Sequence, residues 1–570
     1  MFTDIRFYEK SVNDDIAKSV FRDKSRGGIP YLGGLNASMS AERFREYGRV
    51  AKSYRAGYAR IAILYPSSYE VALASLAHQS LYYICNSHND IIADRVVFDP
   101  NSNRVPRSIE YGMTLKDFDA ILASLHFEPD IVKMASMLIR SGIEPISSKR
   151  TDSPILLVGG PVATANPLLT LCIADAAFIG EFEPSIDGIL DAIIESSGSR
   201  KSMLEGLADI DGIYIHNLSR TPIRRVYPMN LDDVYHPVLQ LQPLDREPIW
   251  GRSMIVEASR GCLHRCLFCL EGYIFKPKRD RSLVKIKLLI EDGAEANNVR
   301  KITFYAPSFF DHKDSDRLLE WISEAGLEAS IPSLRIDTIG RDRLESIAKV
   351  GQKMLTLAPE SGFCPLASIL GKPYSKEGLS SIFKDAYSLS FKELKLYFLL
   401  GFFEGEEEYI LEVIRSAMDA GFKHPNSIKL SINPVIPKPH TPFQWRGLKP
   451  LDFYRRIRRR LMESIDKRIV DMDFYDERWA QIQAVLSLGG LELAELITRW
   501  ALYGGGLSGW RKAVDDTNLN IDRYTSEKSI DYIFPWEGVV DLGIDRGRLE
   551  EIYSSFKEFE RKLAMLTGSI

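Results

Sequence analysis

The sequence predicts an α/β protein with an N-terminal doubly wound parallel sheet, a central partial (β/α)6 barrel and a mostly helical C-terminal region. Three observations predict it. Over residues 58–200, short apolar runs alternate with amphipathic stretches, the pattern of a parallel sheet covered on both faces. From Met254 a second alternating series supplies six further strand-like runs. Beyond Pro442, apolar residues recur at helical spacing, most clearly over 480–502.

Residues 1–57 read as an N-terminal arm with a Gly-rich patch at 27–34. In the region 58–200, strands are expected at 60–65, 94–98, 119–125, 155–158 and 176–179. Helices are expected at 71–86, 131–141 and 167–173. Sheets of this kind bind ligands at the carboxyl ends of their strands, here the loops 66–70, 124–129, 159–166 and 180–183. Residues 201–250 form a proline-containing connector. The barrel covers 251–445, with strands at 254–258, 302–305, 329–331, 354–357, 394–400 and 427–433 and clear helices at 314–325 and 406–420. Its chemistry is expected at the carboxyl ends of those strands. Residues 446–570 form the helical C-terminal domain.

At 570 residues the chain exceeds one ordinary core. A net charge of −4, from 73 basic and 77 acidic residues, sets up no global field toward nucleic acid or membrane. The N-terminus MFTDIRFYEK lacks the apolar core of a secretory signal. The uncharged stretch 153–174 has the length of a membrane span, but Gly159, Gly160, Pro161, Asn166 and Pro167 make it strand, turn and helix. A cytoplasmic protein is expected, with no membrane span and no nucleic-acid partner. The arginine run 455–460 reads as a solvated helix face, and the basic segment 276–281 as a site for substrate or cofactor phosphates.

Of six cysteines, three lie within eight residues, in Ser259-Arg-Gly-Cys262-Leu-His-Arg-Cys266-Leu-Phe-Cys269. Cys85, Cys172 and Cys364 are scattered and read as buried thiols. Three thiolates at CxxxCxxC spacing ligate three irons of a four-iron cluster and leave the fourth open. Zinc is the rival, but structural zinc takes four ligands. No fourth cysteine follows at suitable spacing, and His264 sits inside the loop beside Arg265, where both read as solvent-facing. Three unligated thiols are the remaining alternative.

The motif resembles the radical S-adenosylmethionine superfamily, whose pattern is CxxxCxΦC with an aromatic at the position of Phe268. The resemblance implies a 4Fe-4S cluster on Cys262, Cys266 and Cys269. It also implies S-adenosylmethionine on the open iron, cleaved reductively to a 5′-deoxyadenosyl radical. Ser330-Ile-Pro-Ser-Leu-Arg335, Thr356-Leu-Ala-Pro-Glu360-Ser361 and Leu396-Tyr-Phe-Leu-Leu-Gly401 are similar to family segments at the third, fourth and fifth strands, and the Pro-rich segment from Asn433 to the sixth. It follows that Phe268, Arg335, Glu360, Ser361 and Asn433 contact S-adenosylmethionine. The second strand departs from the family's Gly-Gly-Glu turn and reads Tyr305-Ala-Pro-Ser308, so Ser308 is expected to take its place.

The N-terminal region resembles the cobalamin-binding domain of one large radical-enzyme subgroup, in Tyr65-Pro-Ser-Ser-Tyr-Glu70, Val158-Gly-Gly-Pro161 and Ile179-Gly-Glu181. The resemblance implies cobalamin contacts from Ser67, Tyr69, Glu70, Ser124, His126, Gly159, Gly160, Gly180 and Glu181. The DxHxxG motif that supplies a cobalt-ligating histidine elsewhere is absent, and His126 is expected to line the pocket wall. Glu477-Arg-Trp479 and the stretch 504–513 resemble an uncharacterised branch of this subgroup. The expected function is therefore a cobalamin-dependent radical S-adenosylmethionine enzyme that methylates or otherwise functionalises a C–H bond of an unknown substrate. Its electron donor would be a reductase or ferredoxin. The alternatives are a tRNA methylthiotransferase-like enzyme, whose N-terminal domain needs three further cysteines where this one has Cys85 and Cys172, and a non-enzymatic metal-binding module.

Overall fold

The computed structural model describes residues 44–50, 52–151, 154–196 and 198–567. The Gly-rich patch and most of the expected N-terminal arm lie outside the described residues.

The first sheet contains β1 (Ala59–Tyr65), β2 (Ile91–Val97), β3 (Ala120–Ser124), β4 (Ile155–Gly159), β5 (Ala176–Phe178) and β6 (Ile213–Tyr214), in the order β2-β1-β3-β4-β5-β6. All pairings are parallel except β5 with β6. Buried Ile, Leu and Ala fill both faces of β1 and β3, as a strand covered on two sides requires. On one face Ile61, Ile63, Leu122 and Leu157 pack against the helix Ile186–Glu195. The helix expected at 71–86 is two, Tyr69–Leu73 and Leu76–Ser87. Ser75 starts the second by accepting a hydrogen bond from the His78 amide, a favoured N-cap.

The barrel strands are β7 (Met254–Glu257), β8 (Lys301–Tyr305), β9 (Glu328–Ser330), β10 (Met354–Glu360), β11 (Glu393–Leu400), β12 (Ile428–Pro434) and β13 (Val470–Phe474). All are parallel, in one sheet of three and one of four, joined by a parallel bridge from Leu334 to Leu357. There are thus seven strands rather than the six expected. β13 escapes the sequence pattern because Val-Asp-Met-Asp-Phe carries two carboxylates and sits at the sheet edge, beside β12 alone.

The C-terminal helices pack onto the first sheet. Val485, Leu486, Trp500 and Trp510 share one core with Ile121, Leu125, Ile131 and Val132, on the second face of the first sheet. The stretch 480–502 is split by Gly489-Gly490 into Glu477–Leu488 and Ala494–Leu502. Asn166 donates to the carbonyls of Ser487 and Gly489, and Glu128 takes both Lys438 and Gln483. The arginine run lies on the helix Leu451–Ser464, where Arg455, Arg456 and Arg460 pair with Glu477, Glu404, Glu407 and Glu408. Among the described residues no helix is long and apolar enough to cross a membrane.

Glu406 braces the loop after β11. Its carboxyl accepts from the amides of Gly401 (2.6 Å) and Phe402 (3.4 Å), and burial pushes it up to about 8. An acid raised on folding holds its proton more tightly in the native state, so this group makes stability fall as pH climbs from its unfolded value of 4.5 toward 8. The variant Glu406→Gln should therefore gain thermal midpoint relative to the parent as pH rises from 5 to 8.5, by thermal denaturation at a series of pH values. A pH-independent difference would contradict this account.

Candidate cofactor-binding site

The three clustered cysteines lie in the loop after β7. Ser259–Arg260 pairs antiparallel with Arg279–Asp280, which closes the loop at its base. Gly261 has φ +75, and a Cβ there would stand 2.4 Å from the Phe275 carbonyl oxygen, so only glycine fits. Two more glycines let other segments press on the loop. A Cβ on Gly272 would meet the His264 carbonyl oxygen at 2.8 Å, and one on Gly371 the Cys266 Cα at 3.1 Å.

Cys266 is buried, while Cys262 and Cys269 are half-buried. Burial raises the pKa of all three, that of Cys269 to about 12, and neighbouring thiolates add to the rise at Cys262 and Cys269. Among the described residues no three His, Cys, Asp or Glu side chains are arranged to hold a single metal ion. Two cations stand beside the thiols. Arg335 donates to Cys266 Sγ at 3.6 Å, and Lys372 faces both Cys266 and Cys269. Three mutually close thiols with cationic neighbours fit a thiolate-ligated cluster, whose negative charge those neighbours would offset.

Lys372 also reaches Glu360 at 3.3 Å. Burial raises the Glu360 carboxyl, and Lys372 opposes that rise. Glu360 closes β10 with φ +63, just past a register irregularity after Leu357. A left-handed non-glycine residue costs about 1–2 kcal/mol and persists where surrounding structure holds it, often at functional sites. Cys266, Arg335, Lys372 and Glu360 therefore converge. Lys372 went unnoticed in the sequence, because a lone lysine after a short helix carries no spacing signal.

The other residues expected to hold S-adenosylmethionine are more dispersed. The Ser361 hydroxyl accepts from the Phe363 amide within its own turn. Ser308 is buried and lies within hydrogen-bond reach of Asp311. Phe268 is half-buried against the core that holds Leu267 and Tyr273, and Asn433 sits near the end of β12 opposite Leu399. His264 is not solvent-facing as expected. Its Nε2 lies 2.8 Å from an Asp311 carboxylate oxygen. Arg265 is exposed.

A cavity with about 1390 Å³ of atom-free space, mouth included, lies where the strand ends of the first sheet meet the barrel. Ser124, His126, Gly160, Gly180 and Glu181 line one side, with Tyr65. Trp250, Glu257, Ser259, Arg260, Gly261, Phe275 and Tyr305 line the other. Its walls are mainly apolar and aromatic with a few polar groups, the usual make-up of a ligand site. His126 is held neutral by burial, its pKa lowered to about 4, and shares a 2.8 Å hydrogen bond with Ser124.

Four residues expected at this cavity do not line it. The Tyr69 hydroxyl donates to Glu46 and its ring packs on Phe44, because the helix Tyr69–Leu73 turns it toward that segment. Glu70 is paired with Arg246. Ser67 is buried, and its carbonyl accepts from the Phe98 amide. Gly159 faces a separate crevice behind the sheet. The glycines at the strand ends also serve a purpose other than ligand approach. A Cβ on Gly160 would lie 2.8 Å from the Leu125 carbonyl oxygen, and one on Gly180 2.0 Å from that of Val226.

Glu181 receives Arg260 at 2.9 Å, Arg279 at 2.7 Å and Arg225 at 3.5 Å. Glu183 takes a second nitrogen of Arg260, and Glu257 takes Arg260 and Arg281. Burial works against the charge on Glu257, but those arginines hold its carboxyl down to about 2. Two cations of the segment 276–281 are thus consumed by internal carboxylates. Arg279 and Arg281 are buried and do not wait for a phosphate.

The family described as "Radical SAM superfamily" matches residues 256–431, and "Radical SAM proteins, N-terminal" matches 77–216. Together these matches span more than half of the chain. The chain belongs to the radical S-adenosylmethionine superfamily. An uncharacterized protein of Methanocaldococcus jannaschii is 29% identical over 386 residues, 67% of this chain and 79% of that one. A second protein of that organism, named "Putative methylthiotransferase MJ0865", is 25% identical over 319 residues, 54% of this chain and 66% of its own. Among solved structures, the radical S-adenosylmethionine methyltransferase TsrM from Kitasatospora setae, with cobalamin and a [4Fe-4S] cluster bound, has a TM-score of 0.51 at 12% identity. That match covers 80% of this chain and all of TsrM, and it establishes a shared fold. The chain is thus an enzyme of the radical superfamily, with a 4Fe-4S cluster and S-adenosylmethionine as its cofactors.

Glu360→Gln keeps the size of the side chain and removes the charge beside Lys372. Charge-assisted hydrogen bonds contribute about 1.5–3 kcal/mol each. S-adenosylmethionine affinity of reconstituted protein should therefore fall by roughly ten- to a hundredfold, measured by titration with cluster content checked in parallel. Unchanged affinity would remove Glu360 from the nucleoside site.

Proposed function

We propose that this enzyme is cobalamin-dependent. The corrin would lie in the cavity between the first sheet and the cluster loop, and the reaction would methylate or otherwise functionalise a C–H bond. The single observation that carries the reading is that the cavity at the strand ends is walled on its far side by Ser259, Arg260 and Gly261, next to Cys262. Ligands of doubly wound sheets bind at those strand ends. The two cofactor sites thus share a wall. TsrM, whose fold this chain shares, binds the same pair of cofactors in its solved structure.

Cys262, Cys266 and Cys269 would hold the cluster. A cluster held there would supply the electron for reductive cleavage of S-adenosylmethionine, and a bound cobalamin would supply a methyl carrier. The chain's own residues do the rest. Arg335 and Lys372 present positive charge beside the thiolates and would favour a carboxylate there. Glu360, at the end of β10, accepts hydrogen bonds from a bound nucleoside or an amine. Ser124, Gly160 and His126 would form the corrin's protein-side wall, and neutral His126 is already engaged by Ser124. Trp250 donates to the Tyr305 hydroxyl, which donates to the Ala74 carbonyl, and this chain seals the cavity where the two sheets meet. The proposed site residues are therefore Cys262, Cys266 and Cys269 for the cluster and Arg335, Lys372 and Glu360 for S-adenosylmethionine. For cobalamin they are Ser124, His126, Gly160 and Gly180, with the arginine-paired Glu181 contributing to the cavity wall.

A methylthiotransferase-like reading has one relative's name in its favour. A second cluster would need three cysteines in the N-terminal region. Cys85 and Cys172 are there, and they are buried in different cores.

Anaerobically reconstituted parent protein should hold one four-iron cluster and bind cobalamin, and it should cleave S-adenosylmethionine under reduction. Cys266→Ala should lose the cluster and the cleavage and keep cobalamin. Electron paramagnetic resonance of the cob(II)alamin form should lack histidine-nitrogen splitting. Absence of cobalamin affinity would refute the cobalamin reading, and cleavage retained by Cys266→Ala would refute the cluster assignment.

A further inference from the structure

We propose that the exposed crest of the cluster loop, Leu263 and Arg265 with Lys276 beside them, is the docking surface for a small acidic one-electron carrier protein. The inference rests on the reading above, in which the loop holds a cluster that must be reduced.

The geometry separates the loop into two sides. Its inner side is pressed against Gly272 and Gly371 and carries the thiols. Its outer side presents the residues between them. Leu263 is 64% exposed, a large apolar side chain within one residue of Cys262. Leu263 has no part in the core, and a single exposed leucine on its own means little. Its neighbours give it meaning. Arg265 is exposed and close enough to Lys276 for the two charges to repel. Among the described residues, neither pairs with a carboxylate. Lys276 only skirts the Tyr273 ring at 5.8 Å.

Nearby arginines are treated differently. Arg225, Arg260, Arg279 and Arg281 are all matched to buried carboxylates. Two carboxylates border the crest. Asp311 is taken by His264, and Glu271 lines the inner cavity. The crest therefore keeps a net positive, part-apolar surface on a chain whose overall charge is −4. An acidic partner is drawn to this spot, which orients it. Complementary charge of this kind raises association rates by about 10–10³-fold and fades with salt. The carrier gives up one electron through the loop and leaves one electron more oxidised.

The test compares two reductants on reconstituted holoenzyme, dithionite and a reduced acidic flavodoxin, reading cluster reduction by stopped flow and 5′-deoxyadenosine formation. The double variant Leu263→Ala/Arg265→Glu should be slower with flavodoxin by roughly tenfold or more and stay within about twofold of the parent with dithionite. Raising ionic strength should slow the flavodoxin reaction of the parent and not that of the variant. Equal rates for parent and variant with flavodoxin would overturn the docking surface. If the double variant loses its cluster, Lys276→Glu, outside the cysteine spacing, decides. A flavodoxin-specific loss supports the proposal and an unchanged rate overturns it. Failure of the parent with dithionite would instead sink the underlying radical reading.

Discussion

Glu181 is the point on which the two halves of the enzyme meet. It follows the last parallel strand of the first sheet and binds Arg260 and Arg279, the two residues that pair at the base of the cluster loop, with Arg225 from the connector. Glu181, Arg225 and Arg279 are buried, and Arg260 is largely so. Removing one partner of a buried ion pair typically costs about 3–5 kcal/mol, because the charge left behind has nothing to replace it. Three guanidinium groups around one carboxylate would repel, and Glu183 and Glu257 supply the balancing charges. The cluster loop is therefore held against the first sheet by charge as well as by packing. The cavity is the space left between them.

This constraint explains residues that look like ligand contacts in the sequence. Glu181 follows a strand-end glycine, as a cofactor contact would, yet its carboxylate is fully occupied by arginines. Gly180 is required by Val226, and Gly160 by Leu125. The strand-end loops are built first to fit the rest of the protein, and the cavity wall is what remains. C-terminal helices strengthen the arrangement from behind. Trp479, Trp500 and Trp510 pack in series, tilted and then edge-to-face, with ring centroids 5.9 and 4.9 Å apart, and Trp500 shares its core with the helix Asp130–Arg140.

Much of this was legible in the sequence because it follows short-range rules. The alternation of apolar runs marks both parallel sheets, and CxxxCxxC marks the loop. Other features depend on the far side of a contact. Lys372 is placed by a turn packed on Cys266, and no local pattern announces it. Tyr69 and Glu70 follow β1 in sequence, yet a short helix carries them to Glu46 and Arg246. β13 is missed because its charged residues occupy an edge strand. The continuous core under the C-terminal helices arises from pairings some 350 residues apart, such as Glu128 with Gln483, which periodicity cannot reveal.

The central claim is that cobalamin and the cluster occupy adjoining chambers that share the wall Ser259–Gly261. The most direct measurement is electron paramagnetic resonance of protein that holds both reduced cluster and cob(II)alamin. The account predicts magnetic interaction between the two centres, seen as broadened or split cob(II)alamin lines and faster relaxation than in protein without the cluster. Two unperturbed, additive spectra from fully loaded protein would place the corrin elsewhere and contradict the account.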